Sequence, residues 1–322
     1  MRPETHPEIP QFDDLRLARA RIRKQIRQTP VLEDPGLTEA LGCALSCKCE
    51  NLQRSGAFKF RGASNAIACL RERGLAGDVA THSSGNHGAA LALAASLDGR
   101  TAHVVMPDNA APLKIETVRR YGGIVHLCEA TQQGREQALE CLVDRGRIPI
   151  HPYDNADIIA GQGTAALELL QADPALQVII TPLGGGGLIS GTAIAAAARG
   201  VDVYGVEPEG AADTVASLER GHIVDSWTPD TIADGLRAIV GRRNFRVIRD
   251  RVTRVLTVSD DEIRAAMLLF WRELRMLIEP SAATVIAALH KHPEIFASKR
   301  AGAIISGGNI HPAHWLELTA GE

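Results

Sequence analysis

One lysine of this chain sits in an unusual place. In "QRSGAFKFRGASN", Gln53 to Asn65, Lys59 stands between Phe58 and Phe60, just after Ser55-Gly56. Lysine is seldom buried unless it is paired or reacts. A partly desolvated lysine has a lowered pKa, which frees its amine to act as a nucleophile and a base. The plain structural reading is the start of a strand or helix, with Lys59 in water and the phenylalanines turned inward. Taken alone, the stretch favours that reading.

A second stretch changes the balance. In "VIITPLGGGGLISG" a buried strand runs into Gly184, Gly185, Gly186 and Gly187 and then into a helix opening at Leu188. Glycines let backbone N–H groups converge on an anion, and the helix N-terminus adds partial positive charge. A phosphate is the natural guest, and four glycines exceed what a tight turn needs. A nucleotide P-loop requires Gly-Lys-Ser/Thr here, whereas the chain continues Leu188-Ile189-Ser190. A dinucleotide loop requires G-x-G-x-x-G, and the third glycine is replaced by Ile189 or Ser190 in either register. Glu207 lies at the spacing of a ribose-binding acid, which keeps an NAD-dependent oxidoreductase as a rival. The other reading is a phosphorylated cofactor whose chemistry needs a lysine.

These residues require rigid elements around them. Asp13 to Gln28 has helical periodicity and ends before Thr29-Pro30. "ALSCKCEN" reads as a strand, and Gly62 to Arg73 as a helix stopped by Gly74. A strand–helix rhythm follows. "DVATHSS", "TAHVVMP", "GIVHLC" and "IPIHPYD" are strands, with helices from Gly85 onward and at Lys114–Tyr121, Gln132–Arg145 and Gly161–Gln171. "QVIITPL", "VDVYGVEPEG", "RVLTV" and "AGAIISGGN" continue the series, and Ser259 with Glu262 forms a capping box before "DEIRAAMLLFWRELRML". Alternating strands and helices predict an α/β fold of mostly parallel twisted sheets flanked by helices. No Pro/Gly/Ser linker divides the chain.

Composition supports that class. The chain has 322 residues, 45% of them hydrophobic but only 4% aromatic, and a net charge of −3 with no long run of one sign. Neither nucleic-acid binding nor a membrane span is expected. The N-terminus lacks the apolar core of a signal peptide, so the expected location is the cytoplasm. Of the six cysteines, Cys43, Cys47 and Cys49 cluster, but no second pair completes a four-thiolate metal site. Leu45, Cys47 and Cys49 alternate on one strand face as buried, reduced side chains.

"SGAFKFRGA", "THSSGNHGAALALAA", "NADIIAGQGTAALELL", "GGGGLISG" and "IISGGN" occur together, in order, from about Pro30 to Asn309. In this the chain resembles the fold type II pyridoxal phosphate enzymes, close to serine racemase and the serine/threonine dehydratases. The resemblance implies a two-domain fold, with residues 1–78 and 156–322 as the large cofactor domain and 79–155 as the small one. It implies a homodimer acting on a small amino acid. Lys59 resembles the Schiff-base lysine, Phe58 neighbours the cofactor ring, and Gly184–Gly187 with Leu188 hold its phosphate. Ser83, Ser84, Gly85, Asn86 and His87 match the loop that takes the substrate carboxylate, with Asn86 on the cofactor's phenolic oxygen. As a structural alternative, Ser83 or Ser84 caps the following helix. Ser306 matches the residue facing the pyridine nitrogen. Its neutral hydroxyl makes a softer electron sink, suited to elimination. Glu279, in "LIEPSAA", is expected at the cofactor edge. Glu207, the Ala211 carbonyl and Asp213 resemble a site for a structural divalent cation: Mg²⁺, Ca²⁺ or Mn²⁺. The alternative there is a solvated acidic loop.

The implied activity is an ammonia-lyase: Lys59 removes the Cα proton of a β-hydroxy amino acid, the hydroxyl leaves, and a 2-oxo acid and ammonia result. Candidate substrates are serine or threonine, 3-hydroxyaspartate and phenylserine. Ser84 matches the second acid–base residue of serine racemase, which makes racemisation the alternative. An inactive binding scaffold is a third. Asp154, Asn155, Ser83 and residues 229–243 are expected to line the side-chain pocket. The short tail after Asn309 leaves no room for the regulatory domain of biosynthetic threonine dehydratases.

Overall fold

Strings of Val, Ile, Leu and Ala without polar alternation form strands covered on both faces. In the computed structural model, which describes residues 9–320 apart from 84 and 225, the strands are β1 (Val31–Leu32), β2 (Ala44–Cys49), β3 (Val79–His82), β4 (Ala102–Pro107), β5 (Ile124–Cys128), β6 (Ile148–Pro149), β7 (Val178–Pro182), β8 (Asp202–Pro208), β9 (Arg254–Val258) and β10 (Arg300–Ile305). Among the described residues they make two sheets, a six-stranded one ordered β1-β2-β10-β7-β8-β9 and a four-stranded one ordered β5-β4-β3-β6. Every pairing is parallel except β1 with β2.

The helices that matter to the site are α1 (Phe12–Ile22), α2 (Pro35–Leu41), α3 (Lys59–Glu72), α4 (Asn86–Leu97), α5 (Pro112–Arg120), α6 (Gln132–Asp144), α7 (Ala156–Ala172), α8 (Gly187–Ala197), α9 (Asp213–Arg220), α10 (Arg242–Arg251), α11 (Asp260–Leu274) and α12 (Pro280–Lys291). Period-2 alternation divides the large sheet's side chains between two cores. Val178 and Ile180 face α2, α11 and α12, whereas Ile179 faces α1, α7 and α8. A third core joins Phe60 and Ile67 of α3 to Val79, Leu91 and Val104 around the small sheet. Lys59 opens the helix that ties the two sheets together.

Several elements differ from the sequence expectation for physical reasons. Helix α3 starts at Lys59 instead of Gly62, which puts the lysine in the first turn. Helix α7 starts at Ala156 instead of Gly161, because Asn155 caps it through the Ile158 amide at 3.0 Å. Helix α1 ends at Ile22, well before Gln28. Only Ile148 and Pro149 of "IPIHPYD" pair as strand, and Pro152 lacks the N–H that a longer ladder would need. The two-residue β1 carried no strand signal. Strand β2 lies inside the sheet, so Ser46 and Lys48 are buried along with the free thiols Cys47 and Cys49. The capping box of Ser259 and Glu262 forms as expected.

Candidate active site

Lys59 lies on the seam between the sheets. The segment leading to it is stitched to the end of β10: Phe58 N donates to Ser306 O at 3.0 Å, and Ala57 pairs antiparallel with Gly307. The Lys59 Nζ donates to Pro152 O at 3.1 Å and lies 5.2 Å from the centre of the Phe58 ring. The residue is only partly buried, but protein atoms crowd its amine, and that desolvation lowers its pKa to about 8 while Glu279 opposes the shift. The neighbouring imidazoles stay neutral: burial holds His87 well below its ordinary range and takes His151 to about 4.

Asn86 opens α4, and its Nδ2 donates to Glu279 Oε1 at 2.8 Å, across the seam. Glu279 Oε2 accepts from Asn309 N at 3.2 Å, and Asn309 Nδ2 donates to both Asn86 Oδ1 (2.8 Å) and Ser55 O (2.7 Å). Glu279 is buried, which raises its carboxyl to about 7. Ser306 is buried one residue before Gly307, which lies against the Glu279 carboxylate. Ser83 Oγ accepts from the amides of Gly85 (3.3 Å) and Gly88 (3.2 Å), so it holds the turn into α4. Ser84, expected in the carboxylate loop and on the racemase path, falls outside the described residues.

The glycine run follows β7 and ends as Gly187 opens α8. Gly186 has φ +89°, a conformation that glycine adopts without strain. A Cβ on Gly185 would run into the Tyr153 ring, which packs edge-on against His151 at 4.6 Å. Tyr153 follows Pro152, so one short segment carries both the Lys59 acceptor and the cover of the glycine loop. Leu188 is buried behind the loop. The loop's polar surroundings are incompletely matched. The Gln162 amide, set 2.5 Å from where a Gly187 Cβ would stand, has no hydrogen-bond partner at either end, and neither do Ser190 Oγ and Asn244 Oδ1. Buried polar atoms are nearly always bonded, so this cradle fits a polar guest such as a phosphate.

The sequence profile of the family described as "Pyridoxal-phosphate dependent enzyme" matches residues 22–307. The chain belongs to that family. Within the pyridoxal-phosphate enzymes it is 42% identical over 305 residues to the beta-hydroxyaspartate dehydratase of Paracoccus denitrificans, covering 94% of this chain and 97% of that one. It is 44% identical over 304 residues to the serine racemase of Dictyostelium discoideum, covering 92% and 94%. The structure of maize serine racemase superposes with a TM-score of 0.92 at 40% identity, covering 96% and 97%. The family cofactor pairs a reactive aldehyde with a phosphate, and the partly desolvated amine of Lys59 and the unmatched polar cradle at Gly184–Gly187 suit those two ends.

Some expected residues have other work. Asp154 accepts the amides of Arg242 (3.0 Å) and Arg243 (3.1 Å), and Asn155 caps α7, so both hold helix ends. Glu207 is buried at the end of β8 and accepts from the amides of Thr214 (3.1 Å) and Val215 (3.0 Å), while Asp213 accepts from Val240 N at 2.9 Å. Burial first, then Asp213, raises Glu207 to about 8; burial raises Asp213 to about 6. Ala211 is buried between them in sequence. Among the described residues no three His, Cys, Asp or Glu side chains are grouped to hold a metal ion, and no helix is long and apolar enough to cross a membrane. The Pro152 carbonyl, Tyr153, Gln162 and Asn309 were not singled out from the sequence. Gln162 carried a usable signal, as an amide within the otherwise apolar run "IIAGQGTAAL".

Proposed function

We propose that the protein is a pyridoxal-phosphate-dependent ammonia-lyase of β-hydroxy amino acids, with 3-hydroxyaspartate as the first substrate to test. The observation that carries this reading is the Lys59 amine, its pKa lowered by burial to about 8, joined through Pro152 and Tyr153 to the unmatched polar cradle at Gly184–Gly187. The dehydratase of Paracoccus supports the choice of substrate class.

Pyridoxal phosphate, when bound, supplies the sink for the electrons left when Cα loses a proton. Lys59 Nζ anchors the cofactor and then carries the Cα proton. Gly184–Gly187 and Leu188 hold the phosphate, Asn86 is steadied by Glu279, and Ser306 offers a neutral hydroxyl to the ring. The amides of Ser83–His87 take the substrate carboxylate. We further read Glu207, the Ala211 carbonyl and Asp213 as a structural cation site completed by water, residues 79–155 as the smaller domain, and the enzyme as a cytoplasmic homodimer.

Racemisation is the second reading, favoured by the serine racemase relatives. It requires an acid–base group on the Cα face opposite Lys59. Incubating the loaded enzyme with each stereoisomer of serine, threonine, 3-hydroxyaspartate and phenylserine separates the two: a 2-oxo acid with ammonia supports the lyase, and the Cα-inverted isomer alone (the enantiomer for serine, the epimer for the others) supports the racemase. In Lys59→Ala, retained turnover and a retained borohydride-trapped linkage to pyridoxal phosphate would remove the basis of both.

A further inference from the structure

Behind Lys59 lies a buried charge cluster that the chemistry does not use directly. Arg61, two residues on in the first turn of α3, is fully buried, as is Glu50; Lys48 and Glu168 are nearly so. Arg61 Nε and Nη2 donate to the two oxygens of Glu50 at 2.7 and 2.8 Å. Its Nη1 and Nη2 donate to the two oxygens of Glu168 at 2.9 and 2.8 Å, and Nη1 also reaches Thr164 Oγ1 at 3.2 Å. A guanidinium has five N–H groups, and these five bonds engage them all. Lys48 Nζ completes the set, donating to Glu168 Oε2 and to Thr29 O, each at 2.6 Å. Two cations balance two anions.

Buried ion clusters of this kind add little net stability over well-packed apolar side chains. What they do supply is direction. The Lys59 Nζ–Pro152 O bond links the same two helical segments that this cluster ties together. Lys59 stands in the first turn of α3 with Arg61, and Pro152 leads into α7, which carries Thr164 and Glu168. The two helices also cross with almost no space between their backbones. A Cβ on Gly161 would lie 2.6 Å from Arg61 O, and one on Gly62 would lie 2.9 Å from Ile158 O.

We propose that Arg61 is a positioning residue, whose fork to Glu50 and Glu168 sets the rotation of the first turn of α3 against α7 and thereby where the Lys59 amine sits. This rests on the reading of Lys59 as the reacting lysine, but its test needs no cofactor. In the cofactor-free chain, trace acetylation with acetic anhydride across pH, read by mass spectrometry, reports how readily Lys59 loses its proton. The charged or titratable groups acting on that amine are Glu279, His87 and His151. Arg61→Lys keeps the charge but loses the fork. It should let the amine move toward water and raise the Lys59 labelling midpoint by about one pH unit, with secondary structure retained. Thr164→Val removes the hydroxyl that accepts from Arg61 Nη1 at 3.2 Å and donates to Gly161 O at 2.6 Å, leaves both carboxylate pairs of Arg61 in place, and should shift the midpoint the same way by less. A folded Arg61→Lys chain with the wild-type midpoint overturns the proposal. If Arg61→Lys does not fold, an unmoved midpoint in Thr164→Val overturns it. Failure of the Lys59 assignment would appear separately, as cofactor linkage surviving Lys59→Ala.

Discussion

Asn86 Nδ2 and Glu279 Oε1 meet at 2.8 Å across the seam between the two sheets. One residue opens a helix on the small sheet, and the other precedes a helix on the large one. Asn86→Ala would strand Glu279 Oε1 as a buried acceptor, at a cost of about 1–3 kcal/mol. The melting temperature should fall, and the cofactor should dissociate faster. Unchanged values of both would show that the bond is incidental.

The Lys59 amine governs a pH dependence whose sign can be worked out. Its pKa falls from an ordinary 10.5 to about 8 on folding. The unfolded chain therefore binds more protons between those values. The stability loss from this group is absent above the ordinary pKa, grows as pH falls, and is complete below the folded pKa. Capture of pyridoxal phosphate by the cofactor-free protein should speed up with pH and level off above about 8. Glu279 raises the Lys59 pKa, so Glu279→Gln should move that midpoint to lower pH. Stopped-flow absorbance would measure both curves, and a shift to higher pH would contradict the assignment.

Gly185→Ala should disturb the phosphate cradle through Tyr153. The new methyl would meet the Tyr153 ring. Overpacking of this kind costs about 1–3 kcal/mol. Cofactor affinity should drop roughly 5- to 150-fold if that strain falls on the bound state. Equilibrium titration of the two proteins would read the difference, and Tyr153→Ala should partly restore affinity to the Gly185→Ala chain.

Glu207 and Asp213 are buried acids that repel one another, and a cation between them would relieve that repulsion. Mg²⁺, Ca²⁺ or Mn²⁺ should raise the melting temperature of the wild-type protein, and a chelator should lower it again. The double variant Glu207→Gln/Asp213→Asn should lose that response. An ion-independent melting curve in the wild type would rule out the cation site.

Much of this site was legible in the sequence because its chemistry is written in contiguous stretches. The glycine run combines a residue type with a spacing that few structural needs explain, whereas Lys59 between its phenylalanines gains its role only when read with that run and the motifs that follow. The unread part depends on contacts made only after folding. The acceptor for Lys59 is a main-chain carbonyl, which every residue carries and no residue type marks. Lys48 alternates with buried cysteines as a solvent-facing side chain would, and its partner Glu168 lies 120 residues away. The bonds that Asp154 and Asn155 make to helix N-terminal amides follow from the way acidic and amide side chains cap a nearby helix start.

The order of strands also dictates a timetable for synthesis. β10, made after the other described strands, fits between β2 and β7 in the interior of the large sheet. Until it emerges from the ribosome, those two strands have open edges, the kind that invite association with other chains. The segment bearing Lys59 also lacks the Ser306 carbonyl it docks on. A growing chain therefore cannot assemble its cofactor seat early and wait. Closure of the sheet, seating of the Lys59 segment and release from the risk of aggregation arrive together with β10.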